Sequence, residues 1–168
     1  MTCLAQTLAC SLILSRIDYC NAVLHGAPSY SNKKLQRAQN NAARIVLEAP
    51  RRSHASPLLR TLHCLPVQQR IDYKVALLTF KVRSTSTPSY LRLIIQDRKH
   101  SHNLRSTTTA LCQPFTTTTF AKRAFRCSAP AVWNSLPQTV LSSDSVAVFK
   151  LRLKTFLFSQ AFSSFSAH

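Results

Sequence analysis

The chain has 168 residues, room for one domain, and carries 22 lysines and arginines against five acids, a formal net charge of +17. Charged residues make up only 16% of the chain, against a usual share of ~25%, so the charge comes from missing acids rather than added bases. Gly26 is the single glycine. Phosphate-binding P-loops, G-x-G-x-x-G dinucleotide turns and G-x-S-x-G nucleophile elbows all need several glycines, so the sequence excludes these kinds of site.

The chain opens on an apolar helical pattern. Leu4, Leu8, Leu12 and Ile17 fall near one face of a predicted first helix. The apolar run over residues 4–14 is too short to span a bilayer, and no basic residue precedes it. We therefore expect neither a transmembrane helix nor a signal peptide, and a protein of the nucleus or cytoplasm if it is expressed.

A second helix is predicted after a break at Gly26 and Pro28. Ser31 or Asn32 can cap this helix, and Pro50 ends it. Its apolar residues follow the helical repeat: Leu35, Ala38, Ala42, Ile45 and Val46. Its basic residues lie mostly off that stripe: Lys33, Lys34, Arg37 and Arg44.

Three more helices are predicted in the middle of the chain. Ser56 and Pro57 can start a short helix, and Pro66 opens a longer one. Pro88 can start another short helix over residues 90–95. The buried face of the longer helix is predicted to hold Ile71, Val75, Leu78 and Val82.

The last third of the chain is less regular. Residues 96–120 hold two threonine tracts and read as loop or short β-structure. The string AFRCSAPAVWNSLP, around Trp133, suits an irregular packed segment. Ser142 or Ser143 then caps a last helix. The core face of that helix is predicted to hold Val146, Phe149, Leu153 and Phe156. The predicted fold class is therefore mainly α, with an irregular or short-β segment before a C-terminal helix.

Residues suited to catalysis are few and scattered. The six cysteines and six histidines form no C-x-x-C pair and no H-E-x-x-H motif, so no metal site is predicted. Two-metal phosphoryl transfer needs carboxylates that converge on the ions, and the chain has no adjacent aspartate pair. The five acids lie far apart in sequence: Asp18, Glu48, Asp72, Asp97 and Asp144. We therefore predict no catalytic residue, no metal ligand and no bound cofactor.

A net charge of +17 attracts phosphate whatever the base sequence. The candidate nucleic-acid-binding residues run along the second helix and its exit: Lys33, Lys34, Arg37, Arg44, Arg51 and Arg52. Aromatic residues do not interleave with these as a stacking surface would, so we predict backbone contacts rather than base readout. A small basic module that binds RNA or an acidic protein is the open alternative. Membrane-surface association through the short last helix is less favoured.

Seven strings of the chain resemble, in one order, a known protein family. They are LSRIDYCNAVLHGAP (14–28), KKLQRAQNNAARIV (33–46), LHCLPVQQRIDYKVALLTFK (62–81), PSYL (88–91), NLRS (103–106), RAFRCSAPAVWNSLP (123–137) and FKLRLKTFLF (149–158). Together they resemble the C-terminal part of the reverse-transcriptase polyprotein of animal LINE-type (non-LTR) retrotransposons, the stretch that follows the polymerase palm. The resemblance covers roughly residues 10–160.

The resemblance implies a catalytically inactive fragment of an RNA-directed DNA polymerase. The family's endonuclease, fingers and palm, with the aspartate pair that holds magnesium in the intact enzyme, lie upstream of the matching stretch. It implies a thumb-like helical region over 1–95, an irregular segment rich in threonine and basic residues over 96–141, and a C-terminal helix and tail over 142–168. The implied partners are nucleic acid, bound weakly and non-specifically through its phosphates, and the missing palm domain. The match departs at Cys64, where the family usually has tryptophan.

Overall fold

The protein is mainly helical, as the sequence predicts, in a computed structural model that describes residues 2–98 and 110–163. A π-helical turn spans Cys10–Leu14, and 3₁₀ turns span Asn21–Leu24 and Ala121–Arg123. The α-helices in chain order are α1 (Thr2–Ala9), α2 (Ser15–Asp18), α3 (Ser29–Val46), α4 (Ala55–Thr61), α5 (Val67–Thr85), α6 (Ser89–Ile94), α7 (Phe125–Asn134), α8 (Gln138–Leu141) and α9 (Val146–Phe162). None of the helices in these described ranges is long and apolar enough to cross a bilayer.

The chain divides into two compact units. Unit 1 holds the chain up to Ile71 and from Phe156 onward, and unit 2 holds Asp72–Thr155. Helices α5 and α9 therefore each contribute residues to both units.

Two small apolar clusters lie in the described part of unit 1. Ile17, Val67 and Ile71 form the first, with Ile13 and Leu14 packed against it. The second is formed by Ala43, Leu59 and Phe162, with partly buried neighbours that include Cys64 and Phe158.

The leucine spacing at the start of the chain predicts a buried helix face, but these leucines are exposed. Leu4, Leu8 and Leu12 are 69%, 50% and 65% exposed, and of the predicted stripe Ile17 is the residue that is buried. The π turn at Cys10–Leu14 has more residues per turn than an α-helix, so it rotates the following side chains relative to α1. The leucines of α1 are left on the surface as a result.

Helix α3 begins earlier than its predicted caps and is rotated relative to its predicted stripe. It starts at Ser29, directly after Pro28, so Ser31 and Asn32 lie inside its first turn. Proline fixes φ near the helical value and accounts for this earlier start. Ile45, predicted to be apolar core, is 72% exposed. The buried side of α3 holds Gln39, Ala42, Ala43 and Val46.

Buried amides explain that rotation of α3. Gln39 is 1% exposed, and its Nε2 donates to the carbonyl oxygen of Leu65 at 2.8 Å. Gln36 Oε1 accepts a hydrogen bond from the backbone N–H of Val67 at 2.8 Å, which satisfies a donor at the start of α5. The hydrogen bonds of these two glutamines offset the free-energy cost of removing their amides from water. Hydrophobic periodicity alone does not identify such residues, because glutamine is polar.

Unit 2 is built around stacked aromatic rings. The ring of Phe149 lies 4.2 Å from that of Phe80 and 6.0 Å from that of Trp133, measured between centroids. Val75 and Val82 of α5 are fully buried, as predicted, whereas Leu78 of the same predicted face is half-buried. The fourth predicted residue, Ile71, is fully buried in unit 1.

The segment around Trp133 is a helix, not the irregular stretch that was predicted. Helix α7 spans Phe125–Asn134 with Pro130 inside it. An interior proline costs a helix about 3 kcal/mol, yet α7 buries Cys127, Ala129, Val132 and Trp133. Burial of this face outweighs the local preference against helix.

Helix α9 starts later than predicted. Its first residue is Val146, and Ser145 Oγ accepts a hydrogen bond from the Val148 N–H at 3.2 Å. Ser142 and Ser143, the predicted caps, instead end the short helix α8, where the Ser143 hydroxyl donates to the carbonyl oxygen of Val140 at 2.7 Å. The predicted core face of α9 is confirmed in part: Phe149 and Leu153 are fully buried, whereas Val146 and Phe156 are half-buried.

Residues 96–98 and 110–112 form a short antiparallel pairing, in line with the predicted short β-structure. Asp97 pairs with Leu111. The Arg98 N–H donates to the Ala110 carbonyl at 3.0 Å, and the Cys112 N–H donates to the Gln96 carbonyl at 2.8 Å. The rest of the predicted irregular segment between them, including the string NLRS, lies outside the described residues.

Candidate nucleic-acid interface

Three predicted basic residues share the solvent side of α3. Lys33, Lys34 and Arg37 are all exposed. Residues three and four positions apart are neighbours on a helix, so the Arg37 side chain lies beside both lysines. Their side of the helix is opposite the buried amide and alanines, so the three cations face solvent. We call Lys33, Lys34 and Arg37 the α3 basic surface.

Tyr30 lies beside the α3 basic surface and is not among the binding residues predicted from the sequence. The tyrosine is 64% exposed, and the Lys34 ammonium nitrogen lies 4.4 Å from its ring centroid, within cation–π range. The signal was present in the sequence, because Tyr30 precedes Lys33 and Lys34 by three and four residues. The ring holds Lys34 over the first turn of α3.

Arg44 has a different role from the other five candidates. Its Nε and Nη2 donate to the carbonyl oxygen of Ser53 at 3.2 and 3.1 Å, and its Nη1 donates to Asn41 Oδ1 at 3.1 Å. The side chain is half-buried. These bonds tie the chain after α3 back onto the helix, so Arg44 holds a turn in place while adding its charge to the same side.

Arg51 and Arg52 lie in the turn that Arg44 holds. Both side chains are exposed, and the turn is closed by the Ser53 N–H, which donates to the Pro50 carbonyl at 2.9 Å. Lys33 and Arg44 are eleven positions apart, about 16 Å along the helix axis at 1.5 Å per residue. The structure therefore brings the six residues together as two groups, one near each end of α3.

Few acids oppose these cations. Unit 1 contains nine of the lysines and arginines and two of the acids, Asp18 and Glu48. Asp18 Oδ2 is bound by the Arg70 guanidinium at 2.6 Å, and α3 itself holds no acid. Glu48, exposed just beyond the end of α3, is the acid nearest in sequence to Arg51 and Arg52. The α3 basic surface thus keeps a positive potential along its length.

The arrangement suits contacts with phosphates. Exposed lysines and arginines spaced along one helix can each neutralise a phosphate and release its counterions. Neither group offers the arginine or amide pairs, fixed in a groove-reading geometry, that distinguish one base pair from another. Binding through this side of α3 would depend strongly on salt and weakly on sequence.

No protein-family model, no curated protein and no solved structure matches the chain.

Proposed function

We propose that this chain corresponds to the post-palm portion of a non-LTR retrotransposon reverse transcriptase, that it is catalytically inactive, and that it binds nucleic-acid backbones weakly and without sequence preference. The observation that carries the binding proposal is the α3 basic surface, three exposed cations on a helix face without an acid. The proposed nucleic-acid contacts are Lys33, Lys34, Arg37, Arg44, Arg51 and Arg52.

The resemblance supports the proposed origin. Seven strings occur in the family's order, and three of them, at 33–46, 62–81 and 149–158, fall largely on α3, α5 and α9. Helices that follow a palm are placed to hold template and primer, which fits the cationic side of α3. The family's paired aspartates have no counterpart among the five acids of this chain.

Three exposed leucines, two in α1 and one in the π turn that follows it, favour a protein partner as well; together they are called here the α1 leucines. Leu4, Leu8 and Leu12 lie on the surface of unit 1. We propose the palm domain of the parent polyprotein as the protein that covers them, because three exposed leucines at four-residue spacing form an apolar stripe of the kind that packs against a partner. A small basic module that binds RNA or an acidic protein in its own right is the second candidate function, and the same leucines favour it.

A binding assay with a polymerase control tests the proposal. The protein is titrated into two duplexes of unrelated sequence over a range of salt, and then incubated with magnesium, primed template and nucleotides. We expect affinities for the two duplexes within about threefold of each other, a linear fall of log K with log salt, and no primer extension. A strong preference for one duplex, or synthesis that a point mutation in this chain abolishes, would overturn the proposal.

Serine substitution of the α1 leucines separates the two candidate functions. The variant Leu4→Ser/Leu8→Ser/Leu12→Ser should keep its affinity for duplex, because the α3 basic surface is intact. Binding to a palm domain supplied separately should be lost in the variant and present in the unmodified chain. If the unmodified chain does not bind the palm domain but binds RNA with submicromolar affinity near physiological salt, the result would favour the independent module.

A further inference from the structure

Unit 2 exposes two phenylalanine rings beside a group of cations. Phe115 is 92% exposed and Phe120 is 77% exposed. Phe115 is the most exposed large apolar side chain in the described ranges. Two rings this exposed, five positions apart in the chain and followed by basic residues, make this stretch a candidate binding surface.

Three basic residues follow the second ring in the chain, and one of them contacts it. The Arg123 guanidinium carbon lies 5.7 Å from the ring centroid of Phe120. Lys122 and Arg126 are exposed in the same stretch. The sequence has no acid between Asp97 and Asp144, so no carboxylate of this stretch neutralises them. Aromatic and basic side chains alternate here as they do not on α3.

Hydrogen bonds hold the backbone on both sides of Phe120. Thr118 Oγ1 accepts a hydrogen bond from the Ala121 N–H at 3.2 Å, and the Arg123 N–H donates to the Phe120 carbonyl at 3.0 Å. The 3₁₀ turn Ala121–Arg123 then leads through Ala124 into α7, where residues 127–130, 132 and 133 are buried. Phe120 and its neighbouring cations are therefore presented on a folded support.

We propose that Phe115, Phe120, Lys122, Arg123 and Arg126 form a binding surface for single-stranded nucleic acid, called here the Phe115–Arg126 surface. Unpaired bases stack on the two rings while the cations contact phosphates, the combination that binds single strands without regard to sequence. A duplex hides the faces of its bases and cannot use the rings. The inference shares its ligand class with the proposed function, but it rests on other residues, in the other unit.

The residues between the rings favour nucleic acid over a membrane surface. Four threonines, Thr116–Thr119, separate Phe115 from Phe120. Membrane-surface segments instead place further large apolar side chains along the inserted face. Threonine hydroxyls can bond to phosphate or to base edges, and their insertion into acyl chains would be unfavourable.

Equilibrium binding with matched variants tests this surface. A labelled 20-nucleotide single strand and a 20-base-pair duplex are each titrated with the full chain and with Phe115→Ser/Phe120→Ser at one salt concentration. The single-strand affinity should fall about tenfold or more in the variant, from the loss of base stacking, while the duplex affinity stays unchanged. The variant Phe115→Trp/Phe120→Trp keeps an aromatic ring at both positions and should bind the single strand about as tightly as the unmodified chain. The control is Tyr90→Ser, an aromatic residue of unit 2 that is 66% exposed and should leave both affinities unchanged.

The outcomes separate this inference from the proposed function. Equal losses on single strand and duplex, or no loss on either, would overturn the Phe115–Arg126 surface while leaving the α3 proposal intact. Loss of binding to anionic vesicles in the serine variant, with single-strand affinity unchanged, would overturn it in favour of a membrane. Failure of the unmodified chain to bind either oligonucleotide would overturn both. Because both phenylalanines are exposed, the serine variant should keep the wild-type circular dichroism spectrum.

Discussion

Cys64 lines a small pocket in unit 1. The pocket has a volume of about 20 Å³, enough for one water molecule, and its walls are mostly apolar. Leu59, Leu62 and Val46 are among the lining side chains. The Cys64 thiol donates a weak hydrogen bond to the Leu62 carbonyl at 3.5 Å. The small cysteine side chain leaves unfilled space at this wall of the pocket.

Filling the pocket should stabilise the protein. Cys64→Leu adds apolar volume at the pocket wall, and we expect the free energy of unfolding to rise by about 1 kcal/mol, after the weak thiol bond is lost. Urea denaturation followed by circular dichroism measures the change. Cys112→Leu, at an exposed cysteine, is the control and should shift stability by less than about 0.5 kcal/mol. A destabilised Cys64→Leu would contradict an underfilled pocket.

Tyr73 makes stability depend on pH in the alkaline range. Burial raises the pKa of the Tyr73 phenol above its ordinary value of 10.0, because burial disfavours the phenolate. Below about pH 10 the phenol is neutral in the folded and unfolded chains. Above that pH the unfolded chain loses the proton first, so this group lowers the free energy of unfolding as pH rises.

Tyr73→Phe should therefore weaken the alkaline loss of stability. Urea midpoints at about pH 9 and about pH 11 should differ less in the variant than in the wild type. The control is Tyr90→Phe, whose tyrosine is exposed, and it should keep the wild-type difference. A Tyr73→Phe variant with an unchanged difference would show that the phenol is not responsible.

Single residues were predictable from sequence where charge alone decides their position. Lys33, Lys34 and Arg37 lie at the surface because a charged group costs too much to bury without a partner. Arg44 has the same charge, and its role depends on a carbonyl nine residues away, which no local pattern reveals. Tyr30 was missed although its spacing to Lys33 and Lys34 is visible in the sequence, because composition does not show which rings lie beside cations.

At the scale of elements, Asn134 links α7 to the short antiparallel pairing. Its side-chain amide donates to the Leu111 carbonyl at 3.0 Å and accepts from the Leu111 N–H at 2.9 Å. Leu111 is 1% exposed, so water cannot easily replace these bonds. The same pairing is held from its other strand, because the Arg83 guanidinium binds Asp97 at 2.8 Å and stacks 4.9 Å from the Trp133 ring.

Asn134→Ala should loosen this pairing. The backbone groups of Leu111 lose their side-chain partners, and we expect a loss of about 1–2 kcal/mol in the free energy of unfolding. Hydrogen exchange should accelerate at the amides of Arg98, Leu111 and Cys112. Gln138→Ala, at an exposed position of the same unit, should change neither quantity. Unchanged hydrogen-exchange protection in Asn134→Ala would contradict this role for Asn134. The ion pair between Arg83 and Asp97 would then be enough to hold the pairing.

Helices were predicted well where a proline marks the start of a segment with a clear helical repeat of apolar residues. The longer helix after Pro66 and the short one after Pro88 are found within about a residue of their predicted starts. Helix α7 was missed because Pro130 argues locally against a helix, and the burial of Trp133 that overrides it is a tertiary effect. The rotation of α3 was missed because buried Gln39 counts as polar in any periodicity argument.

At the scale of the whole molecule, the formal charge of +17 divides into +7 in unit 1, with nine bases and two acids, and +10 in unit 2, with thirteen bases and three acids. Unit 1 offers helix-borne cations suited to phosphates, and unit 2 offers cations beside exposed rings. The scarcity of acids matters more than the number of bases, since Asp18, which could oppose the α3 cations, is bound to Arg70. The sign of the electrostatic potential follows from composition, whereas the folded chain determines which cations face solvent together.

The most direct measurement is the salt dependence of duplex binding in two charge variants. Lys33→Gln/Lys34→Gln/Arg37→Gln removes the α3 basic surface, while Lys74→Gln/Lys81→Gln/Lys150→Gln removes three exposed cations of unit 2 and equally lowers the net charge. Each lost phosphate contact reduces the slope of log K against log salt by about 0.9. We predict a reduction of about 2 to 3 for the α3 variant and less than about 1 for the control. Equal reductions in both variants would contradict the account, because binding would then follow net charge and not the surface of α3.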